Sequence, residues 1–376
     1  MNKIAFSLLL LGLLSPSQSE TLHNGRPSVV LEGKVAQLVV DIGGGSIVSF
    51  RLNNQSTNPL AFDSSAFDPS EKAILRPLGH FLCLDRWGPV TETEKQNGMF
   101  FHGEASRVQW EIIKPPTSEG DYIQALMTAK LPLAGLEIKR QIQLSSNSAS
   151  FFVSEQVTNK NLLGRIYNMV QHPTIGPPFL DEDTLVDSNA QKGFMQTSPL
   201  PTPEKPVVYW PNALKGTQLI DLRRLLDDSD PNVVSFTFEE HIGWITASSL
   251  SEGLLIGYLW DTREYPWLNI WRHAKNGKPE ARGLEFGTTG LHQPFPVLVE
   301  KRQIFDRPIY TYLDTGQTSK RNYLAFLFKI PKDYRGVARV TYETGKITLQ
   351  EQGSGPKRTL KMKIGNLPLV IKQTTP

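Results

Sequence analysis

Four short stretches of the chain set aromatic rings beside histidine, arginine or a carboxylate, close to turn-forming Gly or Pro. They are GHFLCLDRWGP (Gly79–Pro89), FFHGEASRVQW ending at Trp110, QHPTIGPPFLD (Gln171–Asp181), and the pair YPWLNIWRHA and GLEFGTTGLHQPF between Tyr265 and Phe295. Turn residues at those places put polar tips at the ends of strands. A sugar presents hydroxyls in its ring plane and C–H groups on its faces. Flat aromatic platforms suit the faces, and bidentate Asp, Glu, Asn or Arg groups suit the hydroxyls. The residue types therefore point to a sugar site. Taken singly, Trp87, Trp110, Trp267 and Trp271 each read first as core filling; the four together carry the sugar reading.

Strands must position these groups. In Leu136–Leu144 the residues Leu136, Ile138, Ile142 and Leu144 share one face, and Glu137, Lys139, Gln141 and Gln143 share the other, as in a strand with one wet side. Arg140 falls on the apolar face, either as a buried ion-pair partner or as the mark of a sheet edge. Ile47–Leu52, Phe151–Val157, Val233–Phe238, Leu254–Trp260 and Tyr323–Phe328 are further β-rich runs, and Val337–Leu349 reads as a hairpin turning at Glu343, Thr344 and Gly345. Helical spacing is convincing only over Gln218–Leu226, through Leu219, Leu222 and Leu226. No βαβ alternation occurs, which disfavours Rossmann and α/β-barrel enzymes. Pro173–Pro211 holds eight prolines and reads as loop or edge. Because β-rich segments of one kind flank it, it is expected to be a lid or rim loop of one large sandwich, covering the groove, rather than a linker.

Composition narrows the class. The 376 residues are 39% hydrophobic and 20% charged, enough for a large core. Forty Lys plus Arg against 37 Asp plus Glu leave +3 with no basic run, so nucleic acid is not an expected partner. At the amino terminus Lys3, the apolar run Ile4–Leu14, and Ser17 and Ser19 read as a signal peptide cleaved after Ser19. Eleven apolar residues span roughly 16 Å as a helix, about half a hydrocarbon core, so the expectation is a secreted or periplasmic protein without stable membrane insertion. Residues 20–376 are expected to form a single domain. Cys83 is the only cysteine, which excludes an intrachain disulfide, and its neighbours Phe81, Leu82 and Leu84 favour burial. GGGSIV at Gly43–Val48 runs into a strand and reads as a turn, not a dinucleotide loop. The seven histidines lack HxH, HxxxH and HExxH spacing, and no metal ligand is assigned. Asp181, Glu182 and Asp183 read as a solvated turn.

The order FFHGEASRVQW, then LEIKRQIQLSSNSASFFVSEQVTN, then QHPTIGPPFLD, then a late GLEFGTT resembles the aldose 1-epimerase, or galactose mutarotase, superfamily. The resemblance runs roughly from Gly43 to Pro331. It implies an all-β fold, a β-supersandwich of large antiparallel sheets with the substrate in a broad groove, here with one short helix. It further implies His172 as general acid, Glu285 as general base and His102 as a hydrogen-bond partner of the sugar. Arg86 or Arg76 would take the place of the family's sugar-binding arginine, and Asp85, Trp87, Trp271 and Asp261 join the substrate-binding set. The central histidine stands in Gln171-His172-Pro173, and Glu285 stands in GLEFGTTG rather than before a Pro-Asp-Ala segment. These departures place the chain outside the ordinary galactose mutarotases.

The residue types suit the implied chemistry. Exchange of sugar anomers removes a proton from the C1 hydroxyl and adds one to the ring oxygen. A histidine of ordinary pKa ~6.5 and a glutamate of ~4.3 can serve as acid and base, and no cofactor is required. The bland readings are a strand-end histidine bonding a backbone carbonyl for His172, and an ion-pair partner of Arg282 or Arg272 for Glu285. His80, His241, His273 and His292 read as surface or structural. The expected ligand is a sugar or sugar acid, and the alternative function is carbohydrate binding without catalysis on the same fold.

Overall fold

Period-two alternation produces two-faced strands, and two-faced strands need sheets to cover them. The computed structural model describes residues 21–67, 75–343 and 345–365; the expected signal peptide lies outside them. Among the described residues, one antiparallel sheet of twelve strands runs in the order Thr21–His23, Arg26–Glu32, Ala36–Asp41, Ile47–Leu52, His80–Asp85, Arg165–Ile175, Lys278–Gly287, Trp267–Lys275, Val233–Thr237, Lys192–Met195 and Val208–Tyr209, with Thr311–Leu313 pairing beside Arg165–Ile175. A second, of eight strands, runs Leu185–Ser188, Ile242–Ser249, Leu254–Asp261, Thr318–Lys329, Ser150–Asn159, Leu136–Ser145, Tyr122–Leu131 and Glu111–Glu119. The all-β supersandwich expected from the sequence is the observed architecture.

The inner faces of the two sheets share one core. Leu82, Leu84, Met169, Ile270, Leu284 and Phe286 come from the larger sheet, and Ile138, Ile142, Val153, Tyr258 and Trp260 from the smaller. Trp260 stacks on Phe286 across the gap, 4.2 Å between centroids and 8° between planes. Each such side chain contributes roughly 1.5–3 kcal/mol through burial. The outer face of the smaller sheet is covered by a three-stranded sheet, Val337–Glu343, Lys346–Glu351 and Thr359–Lys363, which packs Val340, Ile347 and Leu349 against Phe152, Leu255 and Phe326. Its first two strands are the hairpin read from the sequence. The outer face of the larger sheet carries the candidate site.

A polar seam crosses the core. Arg140 is a buried ion-pair partner, the first of its two alternatives. Its Nε donates to Glu155 Oε1 at 2.6 Å, its Nη1 donates to the Gly45 carbonyl, and its guanidinium lies 4.4 Å over the Trp110 ring. Glu155 Oε2 accepts from Gln171 Nε2 at 2.6 Å, and His80 Nε2 pairs with Gln171 Oε1 at 3.1 Å. Arg140 and Glu155 belong to the smaller sheet, His80 and Gln171 to the larger.

Two expectations are corrected. Gln218–Leu226 is not a helix: Gln218–Asp221 is a strand in a hairpin with Asn212–Lys215, and Leu219 and Leu226 are exposed while Leu222 is buried. Hairpin pairing and the Leu222 N–H bond to the Pro211 carbonyl override the i, i+3 spacing. Among the described residues the α-helices are instead Glu92–Gln96, capped reciprocally by Thr91 and Glu94, and Phe295–Lys301. Residues 173–211 are less loop-like than their prolines suggest. Pro173 lies within a central strand, and Leu185–Ser188, Lys192–Met195 and Val208–Tyr209 join the two sheets, with the other prolines in the connections.

Removing one partner of the seam leaves a buried charge unpaired. Arg140→Met or Glu155→Gln is expected to lower unfolding free energy by about 3–5 kcal/mol, read from chemical denaturation. A loss within that of an ordinary surface substitution would show the seam to be dispensable.

Candidate active site

In adjacent central strands of the larger sheet, the residues not used by the core point outward. From His80–Asp85 these are Phe81 and Cys83, from Arg165–Ile175 they are Val170 and His172, from Lys278–Gly287 Glu285, and from Trp267–Lys275 Trp271. Register brings them together. His172 pairs with Phe81 across one strand boundary. Across the next, the register that pairs Gln171 with Phe286 and Thr174 with Gly283 sets His172 opposite Glu285. Loops complete the walls with Phe62, Ser64 and Phe67, with Trp87, Phe101, His102 and Arg107, and with His292, around a cavity of about 340 Å³. That volume sits at the small end of ligand pockets.

The floor is a short hydrogen-bonded chain. His172 Nε2 lies 3.1 Å from Glu285 Oε1, and Trp87 Nε1–H donates to Glu285 Oε2 at 2.6 Å. His172 Nδ1 is 2.9 Å from Thr174 Oγ1. Phe81 stacks on the imidazole at 4.1 Å and 21°, and Trp271 meets it edge-on at 6.1 Å. Gly283 is required for this arrangement, since a Cβ there would stand 2.6 Å from Glu285 Oε1.

His102 enters from the rim with φ +65°, a left-handed conformation that a side-chain-bearing residue seldom adopts. It is held by mutual bonds with Gly88: its N–H donates to the Gly88 carbonyl at 3.1 Å, and the Gly88 N–H donates to its Nδ1 at 3.0 Å. With Nδ1 accepting, the neutral ring carries its proton on Nε2, available as a donor. Gly88, at φ +104°, lets the His292 ring pack on its Cα, where a Cβ would come within 2.8 Å.

Burial among aromatic walls disfavours the charged forms of the site's histidines and glutamate. Burial lowers the His172 pKa to about 3 and the His292 pKa to about 4, and drives that of His102 well below its ordinary value. Burial likewise raises the Glu285 carboxyl well above the usual carboxylate range, against the opposing bond from Trp87. Among the described residues no cluster of three or more His, Cys, Asp or Glu side chains is placed to hold a metal ion, and no helix is long and apolar enough to cross a membrane.

Of the residues singled out from sequence, the fold gathers His172, Glu285, His102, Trp87 and Trp271 around one cavity. Asp85, Arg86 and Asp261 are not among its lining. Asp85 is fully buried between Arg86 and Arg165, at 3.2 and 2.5 Å. Arg86 also pairs with Glu94 at 2.8 Å and lies over the Phe295 ring. Asp261 accepts from the Arg263 N–H and guanidinium in a turn. Arg76 pairs with Asp63. Trp110 and Trp267 are core residues, and Cys83 is buried. His80 is a core histidine against Tyr258 and Tyr323. None of residues 173–211 lines the cavity, so that segment does not cover it. It contributes at one remove: Gln196 donates to the Gly290 carbonyl and accepts from the His292 N–H, fixing the loop that bears His292. His292, Arg107 and Thr174 were missed as site residues, although each lies inside or beside one of the quoted motifs. Phe81 could have been found from its period-two relation to Cys83.

No protein-family model matches the chain, and no curated protein matches it in sequence. Solved structures do match in shape. The Slr1438 protein from Synechocystis sp. PCC 6803 superposes with a TM-score of 0.58 at 14% identity, over 88% of this chain and 100% of that one. A putative aldose 1-epimerase from Escherichia coli K12 gives 0.56 at 13%, over 81% and 99%. A putative mutarotase from Salmonella typhimurium gives 0.53 at 9%, over 84% and 95%. The fold is galactose mutarotase-like, and its neighbours along the chain are aldose 1-epimerase and mutarotase-like proteins at low identity.

The native site keeps its imidazoles neutral down to about pH 3–4, whereas the unfolded chain protonates them near ~6.5. Between those values the unfolded state binds more protons, so stability falls as pH falls through that window. Thermal melts should show a decline from about pH 6.5 towards 4. The decline should be shallower in His292→Phe, by up to about 3 kcal/mol at one unit per ~1.4 kcal/mol. A melting temperature flat over that range would contradict neutral burial.

Proposed function

We propose that the protein is an exported aldose 1-epimerase-like enzyme that interconverts the anomers of a sugar or sugar acid, with His172 and Glu285 as its acid–base pair. One observation carries this reading: in a galactose mutarotase-like fold, the two groups face each other at 3.1 Å on the floor of an aromatic-walled cavity. Opening a hemiacetal ring needs one proton taken from the C1 hydroxyl and one given to the ring oxygen, and this pair can do both. The His102 Nε2–H and the Asn232 side chain line the cavity and suit sugar hydroxyls, and the Trp271 ring beside them suits the C–H side of the ring. Export rests on the amino-terminal pattern ending at Ser19, and the chain from Glu20 onward is taken to work as one domain. Amino-terminal sequencing of the secreted protein should begin at Glu20.

A second reading, carbohydrate binding without turnover, draws on the same contact: an acid and a base bonded to each other are not set apart around a substrate. The two readings separate on activity. Polarimetry or NMR of freshly dissolved single-anomer hexoses, pentoses and uronic acids should show acceleration by the wild type. Glu285→Gln and His172→Asn should each reduce it roughly 10²- to 10⁴-fold while sugar still quenches or enhances Trp emission. Binding with no acceleration of any sugar in the panel would leave the binding protein as the surviving reading.

A further inference from the structure

We propose that a lysine-lined groove at the end of the sandwich, separate from the cavity of His172 and Glu285, binds an acidic polysaccharide, a chain whose sugars carry carboxylates. The groove measures about 670 Å³, against about 340 Å³ for that cavity, and the two share no lining residue among those described. The inference goes beyond the proposed anomer interconversion and does not depend on it.

Turns and strand ends of three sheets build the groove. The turn between Arg26–Glu32 and Ala36–Asp41 and the residues after Ile47–Leu52 come from the larger sheet. The turn before Ser150–Asn159 and the end of Thr318–Lys329 come from the smaller, and Thr359–Lys363 from the three-stranded sheet. Backbone bonds fix these walls to one another. The Lys34 N–H donates to the Ser146 carbonyl, the Asn53 N–H to the Val35 carbonyl and the Leu327 N–H to the Ala149 carbonyl, each at 2.9 Å. The groove is therefore preformed, as ligand sites usually are.

Its charge is of one sign. Lys34, Lys329, Lys361 and Lys363 line it; among the described residues no carboxylate does, and none of these four lysines enters an ion pair. They are scattered along the chain and gather only in the fold, so a net charge of +3 without a basic run conceals them. Lys363 also stands opposite Lys346 in register, and of the two only Lys346 has a carboxylate, Glu343 at 3.6 Å. Like charges brought together cost stability unless an anion offsets them. Lysine on an edge strand also blocks edge-to-edge pairing, which accounts for Lys361 and Lys363 on Thr359–Lys363. Lys34 and Lys329 lie on other elements, and edge protection does not require them.

The rest of the lining selects the anion. Asn53, Asn54 and Asn147 bring amides that suit hydroxyls, and buried Leu52, Leu327 and Phe328 suit the C–H face of a sugar ring. Asn147 Oδ1 accepts from Lys34 Nζ at 3.1 Å, which holds that ammonium at the groove. Lys361 and Lys363 are two positions apart on one strand, so their side chains leave one face roughly 7 Å apart. That spacing calls for carboxylates repeated along a chain rather than for one small anion. Among the described lining residues there is no arginine to grip a phosphate bidentately and no exposed aromatic ring to stack a base, which disfavours nucleic acid. Val35 is the one exposed large apolar side chain there, too little to enter a bilayer.

The test titrates the protein calorimetrically with polygalacturonate as the probe and dextran as its neutral counterpart. Polygalacturonate should bind and dextran should not, and added salt should weaken the binding. A variant carrying Lys34→Gln, Lys329→Gln, Lys361→Gln and Lys363→Gln should lose about 10-fold or more in affinity. Lys332→Gln with Lys357→Gln, at two exposed lysines outside the groove, should lose none. On the wild type, where folding is not in question, bound polygalacturonate should protect the four groove lysines from acetylation, read by mass spectrometry, and leave Lys332 and Lys357 reactive. No binding, equal binding of dextran, an undiminished affinity in the folded groove variant, or protection spread evenly over the six lysines would overturn the inference. So would tighter binding of single-stranded DNA or of phosphatidylglycerol vesicles than of polygalacturonate, since the groove would then serve another anion. Neither measurement involves turnover, so failure here leaves the epimerase reading standing, and a protein that accelerates no sugar can still bind the polymer.

Discussion

The two sheets are tied by a charged pair buried where water cannot reach it. Arg140 and Glu155 sit side by side on adjacent strands of the smaller sheet, and Glu155 reaches across to Gln171 of the larger. A buried ion pair is stable only with its remaining bonds satisfied. That requirement fixes the distance and register between the sheets at this level. Gln171 precedes His172, so the strand pinned on its inner face by the seam presents His172 on its outer face. Phe286, stacked on Trp260, does the same for Glu285. The inner packing thereby sets the outer geometry.

A second constraint is dielectric. Aromatic side chains dominate the cavity wall; inside it His172 lies against Glu285, Glu285 accepts from Trp87, His102 accepts from the Gly88 N–H, and the His292 ring packs edge-on against Trp87. Water would solvate their charged forms; aromatic carbon does not. Asp85, Arg86, Arg165 and Glu94 pair with one another behind the wall, while Arg107 lines the cavity.

Much of the fold was legible in the residues. Alternation over Leu136–Leu144 marked both a strand and its buried face, and the hairpin after Val337 was marked by its turn. Helical spacing at Gln218–Leu226 misled because three leucines at that spacing also fit a hairpin followed by a turn, and strand pairing decided between them. At the site, His172, Glu285 and His102 were legible through the family resemblance, and Trp87 and Trp271 as rings in the quoted stretches, but His172, Glu285 and Trp271 lie on the outer face within central strands rather than at strand ends. Asp85, Arg86 and Asp261 had the same appearance, yet ion pairing draws them away from the cavity, Asp85 to Arg86 and Arg165, Arg86 also to Glu94, and Asp261 to Arg263.

What the sequence alone determined was local: which residues alternate, which face of each strand is apolar, and which short stretches combine rings with ionisable groups. Those properties depend on spacing along one strand. Tertiary structure decided which outward-facing residues become neighbours, because register between strands distant in the chain is chosen by the whole buried surface of both sheets. It also decided the charge of the site. The protonation of His172 and Glu285 depends on how completely Phe81, Trp87 and Trp271 exclude water, and those rings arrive from other strands and loops.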